Sequence, residues 1–202
     1  IGLRGTGSDQ YAVTDLFVAE AYSPARDEVA ARREDGLLYR FSSLSLYAGG
    51  FAGVALGIAR STLAAFIELA RDKIPRGARK TMRDNNVTQA QVAQSEARLA
   101  SARSWLVGSL AEITIAVARR GHITLDERMT IRLAATFAIH QALEVVDTLY
   151  EAAGSTAIFN DHPFERRFRD IHSVSQQLQG RQTHFETVGQ HLMGLPAETN
   201  WL

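Results

Sequence analysis

The chain has 202 residues, of which 46% are hydrophobic and 22% charged, so it is long enough to bury one substantial core. Its 22 basic and 22 acidic residues cancel, which argues against a nucleic-acid-binding surface or an electrostatically held membrane protein. Cysteine is absent, which excludes disulfides, thiolate nucleophiles and cysteine-ligated metals in this chain and is compatible with the cytoplasmic location we expect.

The beginning of the chain differs from the rest because it has no helical pattern. Residues 10–18 partly alternate between apolar and polar side chains and are rich in Val, Thr, Tyr and Phe, which predicts one β-strand. A single strand needs a partner, so we expect it to pair with part of a longer parent protein. The chain opens at Ile1 without an initiator methionine or targeting segment, and we interpret it as a piece of that parent.

Two long helices are predicted next. Apolar spacing places the first over residues 37–74, where Pro75 and Gly77 end it. A basic connection leads to a second helix over residues 88–121. The uncharged stretch between positions 40 and 60 approaches the roughly 20 residues that a membrane-spanning helix needs, but its glycines and serines make it too weakly apolar, so we predict no membrane insertion.

Further helices complete the predicted bundle. A capping box predicts the start of a third helix at Thr124, which continues toward Gly154. Asn160 or Asp161 as a cap, together with Pro163, predicts the start of a fourth helix, and residues 182–192 either continue it or form a short fifth one. Since each amphipathic helix must bury its apolar stripe, we predict a mainly α fold, an up-and-down four-helix bundle with a short N-terminal β segment.

Glycine spacing and histidine spacing suggest two kinds of site, and both have ordinary explanations. Gly49, Gly53 and Gly57 lie on one ridge of the first helix, which favours close helix packing over ligand contact. A ferritin-like metal site needs Glu-x-x-His pairs, whereas His140 and Glu144 have the opposite order. We therefore predict no metal site.

The connection after the first helix is rich in cations that either meet phosphate groups of a cofactor or remain solvated. These cations are Lys73, Arg76, Arg79, Lys80 and Arg83. Among the histidines, His172 stands out because it follows Arg169 and Asp170 closely, although a structural role is the alternative to a catalytic one. No Gly-x-Ser-x-Gly elbow supports Ser-His-Asp catalysis.

The last third of the chain resembles a known family. A helix that ends at Gly154 and Ser155, a capped restart and the pair Arg169–Asp170 occur in the order of the C-terminal helical domain of the acyl-CoA dehydrogenase superfamily. The Gly-x-Arg-Gly-Thr motif near the start resembles the end of that superfamily's middle β-domain. The resemblance implies a boundary between residues 1–28, the end of the β-domain with its linker, and residues 29–202, the helical bundle.

This resemblance implies a flavin-dependent oxidoreductase that binds FAD or FMN, in which the bundle closes the site for flavin and a small-molecule substrate. It also implies a homo-oligomer, a dimer or a tetramer, and a cytoplasmic enzyme whose isolated bundle is inactive. The candidate cofactor-binding residues that follow are Arg79, Arg169, Asp170, Gly154 and Ser155.

Two departures from the family pattern bear on the reaction. The dehydrogenases carry a catalytic glutamate nine residues after the signature arginine, where this chain has Leu178, and the flavin-holding Arg-Lys-x-Phe-Gly motif is missing. The chain is more similar to the type 2 C-terminal domain of two-component flavin monooxygenases, such as the dibenzothiophene and hydroxyphenylacetate oxygenases. These often have a histidine eight residues after the arginine, where Gln177 stands here. Glutamine donates a hydrogen bond but does not titrate, and His172 is the candidate to replace that function.

Three functions therefore remain open. The leading expectation is a dehydrogenase-related enzyme acting on a CH–CH bond, with an acyl-CoA as one substrate class. The alternative is a monooxygenase of the same fold that receives reduced flavin from a separate reductase. The third is a non-catalytic oligomerisation bundle. In either enzyme His172 and Gln177 are the candidate catalytic residues.

Overall fold

The structure, a computed structural model, describes residues 9–23 and 33–202, and in these ranges it contains five α-helices and no β-strand. The mainly α bundle that the sequence predicts is confirmed. Short 3-10 turns connect several of the helices. The helices are α1 (Ser43–Asp72), α2 (Asn86–Arg120), α3 (Leu125–Ala153), α4 (Phe164–Gln176) and α5 (Thr183–Leu192).

The strand predicted at residues 10–18 is not seen. The chain between residues 9 and 23 is non-helical apart from a 3-10 turn at Glu20–Tyr22, and its side chains are exposed, with Tyr11 at 87% and Phe17 at 88%. A strand forms only against a partner, and the described residues contain no second strand. The Gly-x-Arg-Gly-Thr motif and the predicted boundary after residue 28 lie outside the described residues.

Local capping explains where the long helices begin and end. Ser42 caps α1, because its Oγ accepts a hydrogen bond from the Ser45 amide, and residues 37–40 form a separate 3-10 turn instead of the predicted first helical turn. The predicted capping box is present, since Thr124 and Glu127 exchange side-chain and backbone hydrogen bonds at the start of α3. The short fifth helix is a separate element, α5.

The core lies mainly between α1, α2 and α3, with α4 packed against α3 and α1. Buried alanines on both α1 and α3 allow close approach of the two helices, and larger side chains such as Phe66, Ile139 and Leu149 fill the space around them. The buried alanines are Ala48, Ala52, Ala55, Ala59, Ala134, Ala135, Ala138 and Ala142. Because α3 is central, it presents side chains to α4 and α5 as well as to the core.

Among the described helices, α1 is the one long and apolar enough to span a membrane by length and composition, and 39% of its most apolar window is buried. A core helix of a bundle passes the same test, and the buried face of α1 belongs to the core. One such helix is weak support for a span, so the absence of membrane insertion stays a prediction.

Candidate functional site

The chain makes a tight turn directly after α4, and we call residues 177–180 the site turn. The amide of Gly180 donates to the carbonyl of Gln177 at 2.8 Å, which brings Gly180 back against the last turn of α4. A Cβ atom on Gly180 would lie 2.5 Å from the carbonyl oxygen of Ser175, closer than a real Cβ approaches oxygen. Glycine is therefore required at this position by close backbone approach.

Two histidines hold the backbone of the site turn. His184 of α5 places its Nε2 2.7 Å from the carbonyl oxygen of Leu178, and His140 of α3 places its Nε2 2.9 Å from the carbonyl oxygen of Gly180. Burial lowers the pKa of His184, and the charge of Arg132 lowers it further. The neutral histidine therefore donates from Nε2 to a carbonyl.

A buried arginine of α3 holds the side chain of the third turn residue. Arg132 is 1% exposed, its Nη1 donates to Oε1 of Gln179, and its Nη2 donates to the carbonyl oxygen of Trp201 at 2.6 Å. Its Nε is buried without a hydrogen-bond partner in the described residues. Burial, followed by the charge of Arg128, lowers the pKa of Arg132 to about 10. The hydrogen-bond acceptors of this cation are thus neutral oxygen atoms, a side-chain amide oxygen and a main-chain carbonyl.

The side-chain amide of Gln177 uses only its oxygen atom within the site turn. Its Oε1 accepts a hydrogen bond from the amide of Gln179 at 2.7 Å, whereas its Nε2 makes none within the described part of the chain. The side chain is half-buried. Gln177 therefore keeps two N–H donors for a ligand.

Small-molecule sites typically occupy about 300–1,000 Å³. The cavity that borders the site turn at Gly180 measures about 550 Å³. Its lining combines the apolar side chain of Leu143 with polar groups and includes neither aspartate nor glutamate. The arrangement suits a ligand that accepts hydrogen bonds. The polar lining residues are His140, Ser175, Gln176, Arg181, Gln182 and Thr183.

His172 lies further along the seam between α3 and α4. Its Nε2 is 2.9 Å from Oδ1 of Asp147, and its ring centroid is 4.4 Å from that of Phe168, which stacks on Tyr150. Burial raises the pKa of Asp147, and His172 counteracts this rise. Asp147 follows His140 by seven residues on α3, about 10 Å along the helix axis, so the His172 pair and the site turn occupy neighbouring parts of one seam.

Comparison with known proteins decides the family. The family model described as "Acyl-CoA dehydrogenase, C-terminal domain" matches residues 49–180, from α1 through the site turn. The chain belongs to this family. It is 27% identical over 202 residues to an indole-3-acetate monooxygenase of Acinetobacter baumannii, a match that covers 100% of this chain and 51% of that protein. The chain thus spans about half the length of the curated relatives it matches.

Solved structures with the same fold include a complex with reduced flavin and an acyl-CoA dehydrogenase. XiaF from Streptomyces sp., a structure in complex with FADH2 and glycerol, matches with a TM-score of 0.76 at 18% identity over 83% of this chain and 43% of that one. Butyryl-CoA dehydrogenase from Megasphaera elsdenii matches with a TM-score of 0.61 at 19% identity over 74% of this chain and 37% of that one. At these identities the structures show the fold alone.

The signature pair of this acyl-CoA dehydrogenase C-terminal domain is engaged in ion pairs on α4. Arg169 donates to both carboxylate oxygens of Glu165, at 2.6 and 2.8 Å, and Asp170 lies 4.0 Å from Nε of Arg166. These i, i+4 pairs stabilise the helix surface. A cofactor-binding role for Arg169 and Asp170 stays a prediction.

The remaining candidate residues lie at the other end of α3. Gly154 adopts a positive φ of 59°, Ser155 is exposed, and Nζ of Lys73 ties this end to the α1–α2 connection through the carbonyl of Ala153 at 2.5 Å. Arg79 is exposed in that connection.

Gly154 is 14 residues beyond His140 along the chain, about 20 Å by helical rise. The structure therefore does not bring Arg79, Gly154 and Ser155 to the site turn, and their cofactor-binding role also stays a prediction.

Sequence reasoning missed Arg132, Gln179, His184 and Asp147, and it weighed His140 as a metal ligand alone. The available signal was weak: Arg132 is an isolated charge among Ile131, Leu133 and two alanines of α3. The described residues contain no group of three or more His, Asp or Glu side chains placed to hold a metal ion.

Proposed function

We propose that this chain is the C-terminal half of the oxygenase component of a two-component, flavin-dependent monooxygenase. The enzyme hydroxylates a small aromatic compound, the class to which indole-3-acetate belongs, with O₂ and reduced flavin from a separate reductase. The observation that carries the proposal is the chemistry of the site turn and its cavity, which offer hydrogen-bond donors and no carboxylate.

The absent carboxylate favours a monooxygenase over the dehydrogenase that the sequence led us to expect first. Removal of a proton next to a thioester needs a base within hydrogen-bond reach of it. Leu178 stands at the family's glutamate position, and residues 171–185 contain neither aspartate nor glutamate. The full-chain relationship to an indole-3-acetate monooxygenase supports the same preference.

The donors at the site turn fit a flavin, because the isoalloxazine ring system carries several hydrogen-bond acceptors. When bound, reduced flavin supplies the activation of O₂. Gln177 would donate a hydrogen bond from Nε2 to the bound flavin, and the apolar side chain of Leu143 would help to exclude water from the adjoining cavity. Nε2 of His172 lies 2.9 Å from Oδ1 of Asp147, and this polar pair is placed to bind or orient a polar group at the seam.

The complete enzyme requires more than this chain. The curated relatives are about twice as long, and the other half of the parent protein supplies the rest of the flavin and substrate site. We propose a homo-oligomer, a dimer or a tetramer, that works with a flavin reductase in the cytoplasm. The isolated bundle is expected to be inactive.

The proposal is tested on the full-length parent protein. Anaerobic titration is expected to give tighter binding of reduced than of oxidised FAD or FMN, and a panel of aromatic acids and phenols is expected to yield an O₂-dependent hydroxylated product when a reductase is present. Bleaching of bound oxidised flavin by an acyl-CoA thioester without O₂ would instead establish a dehydrogenase.

Two variants connect the result to the site. Gln177→Leu removes the donor and is expected to reduce product formation about tenfold or more, because a hydrogen bond that develops in the reaction is lost. Gln177→His restores a donor and is expected to recover part of the activity. Gln94→Leu is the matched control, since Gln94 is exposed on α2. Equal activity of Gln177→Leu and Gln94→Leu would remove Gln177 from the site.

A further inference from the structure

We propose that Arg132 is a positioning residue: it fixes Gln179 and, through Gln179, the side-chain amide of Gln177. The effect on catalysis rests on the proposed function, whereas the effect on the geometry of the site turn does not.

A continuous series of hydrogen bonds leads from Arg132 to Gln177. Nη1 of Arg132 donates to the side-chain oxygen of Gln179, and the main-chain amide of Gln179 donates to Oε1 of Gln177 at 2.7 Å. The first bond fixes the position of residue 179, and the second uses the oxygen of the Gln177 amide. The nitrogen of that amide makes no hydrogen bond within the described residues and stays available as a donor.

The position of the Arg132 side chain is itself fixed by contacts with the C-terminal segment. Its Nη2 donates to the carbonyl of Trp201, and Arg128, one helical turn earlier on α3, donates to the carbonyls of Thr199 at 3.4 Å and Leu202 at 2.9 Å. The segment that contains these carbonyls contacts the guanidinium group of Arg132, a residue that is 1% exposed. Because Nη2 of Arg132 is bound to this segment, its Nη1 is kept in place as a donor to Gln179.

Fold stability does not explain a charge at this position. Arg132 is buried without a carboxylate among its recorded partners, its Nε lacks a hydrogen-bond partner in the described residues, and a second cation, Arg128, lies close enough to disfavour its charge. Burial of an unpaired charge is unfavourable, and an apolar side chain of similar size often replaces such a group without loss of stability. Arg132 instead supplies a planar guanidinium group whose two Nη atoms donate hydrogen bonds in a fixed geometry.

Arg132 differs from the two histidines at the turn in what it contacts. His140 and His184 hold main-chain oxygens of Gly180 and Leu178, and they stabilise the backbone path. Arg132 holds a side chain whose residue carries the amide bound to Gln177. Its removal should therefore loosen the Gln177 amide before it changes the fold.

The first experiment measures amide hydrogen exchange of the peptide that contains residues 177–182 in the full-length protein, without flavin. Arg132→Met is expected to accelerate exchange there about tenfold or more, because a hydrogen bond to a charged group is lost. Arg128→Met is the matched control: it loses contacts to the same C-terminal segment but none to the turn. Equal exchange in both variants would overturn the proposal.

A second pair of variants keeps the test valid if Arg132→Met fails to fold. Gln179→Leu removes the acceptor and is expected to accelerate exchange as Arg132→Met does. Gln179→Glu keeps an oxygen at the same place and provides a carboxylate for the guanidinium, so exchange is expected to stay at the wild-type rate or below it. Fast exchange in Gln179→Glu would contradict the positioning role.

The catalytic consequence is tested by a double-mutant cycle. The measured quantity is the fraction of oxidised flavin that gives hydroxylated product rather than hydrogen peroxide. Arg132→Met and Gln177→Leu are each expected to lower this fraction, about fivefold or more, and the double variant to be no worse than Gln177→Leu, because both act through one group. Additive losses would overturn action through Gln177. A wild-type protein that hydroxylates nothing while exchange follows Arg132 would refute the proposed function and leave the positioning intact.

Discussion

The apolar core between α1 and α3 and the polar contacts around the site turn are built on different principles. In the core, alanines and larger apolar side chains such as Phe66 are fully buried, and burial itself stabilises the fold. Around the turn, Arg132 and His184 are nearly as buried, at 1% and 4%, although each is cationic when protonated. Burial opposes their charge, and the Nε of Arg132 lacks a partner in the described residues.

This difference separates stability from geometry within one helix. One face of α3 contributes Ala135, Ala138 and Ile139 to the core, and other positions contribute Arg132 and His140 to the turn. Substitutions in the first set should change the free energy of unfolding, and substitutions in the second should mainly change local structure at the site. Four variants, in the core and around the site turn, test the difference between these two regions.

Phe66→Ala should give the largest effect, because it removes a fully buried ring from the core. We expect the free energy of unfolding to fall by about 3–5 kcal/mol in urea denaturation. Phe159→Ala, at an exposed ring, is the matched control and should change stability little. A loss below about 1 kcal/mol for Phe66→Ala would mean that the core relaxes to fill the space.

Gly180→Ala tests the close approach of the site turn to α4. The added Cβ would lie 2.5 Å from the carbonyl oxygen of Ser175, so the backbone must shift, at an expected cost of about 1–3 kcal/mol together with faster exchange in the site turn. Gly189→Ala adds the same methyl group where nothing lies within 4 Å, and it should be neutral or slightly stabilising. Similar stability of the two variants would contradict the observed turn.

His184→Gln tests the pH dependence that burial implies. The pKa of His184 is lowered in the folded state from its ordinary value of 6.5, so the unfolded state binds more protons between the two pKa values. The contribution of His184 to the free energy of unfolding is therefore fully present above pH 6.5 and is lost as the pH falls below 6.5.

We expect thermal melts of the wild type to show this loss of stability as the pH falls below about 6.5. His184→Gln should make the loss smaller, at a cost near 1 kcal/mol at pH 8. The exposed His122 provides the control His122→Gln. An unchanged pH dependence in His184→Gln would assign the acid sensitivity to other groups.

Asp147→Asn should have the smallest effect on stability. The side chains of Asp147 and His172 are 38% and 39% exposed, so solvent screens their interaction and we expect a change below about 1 kcal/mol. Asparagine keeps an acceptor for His172 but removes the charge. The informative readout is the pH profile of product formation, which should shift if His172 handles a proton. A profile identical to the wild type would leave the pair a structural contact.

Much of the fold follows from local sequence signals. The capping box at Thr124, the left-handed glycine after α2 at Gly121 and the helix-breaking Pro75 act between residues a few positions apart, so their effect can be inferred without the tertiary structure. The strand at residues 10–18 could not be inferred correctly, since strand formation depends on a partner that the described chain does not provide.

The candidate site was predicted less completely for the same physical reason. The sequence pattern placed His172 on the fourth helix and Gln177 at its end. It gave no sign that Asp147 pairs with His172. It also did not indicate that Arg132, 47 residues before Gln179, forms a hydrogen bond to the site turn. It also grouped Arg79, Gly154 and Ser155 with these residues, whereas Gly154 lies about 20 Å from His140 by helical rise, away from the site turn.

The sequence by itself determined the helices and the family, because capping, apolar spacing and motif order are local properties. The tertiary structure decided which polar side chains meet around the site turn, because such contacts join residues far apart in sequence whose burial no local pattern specifies.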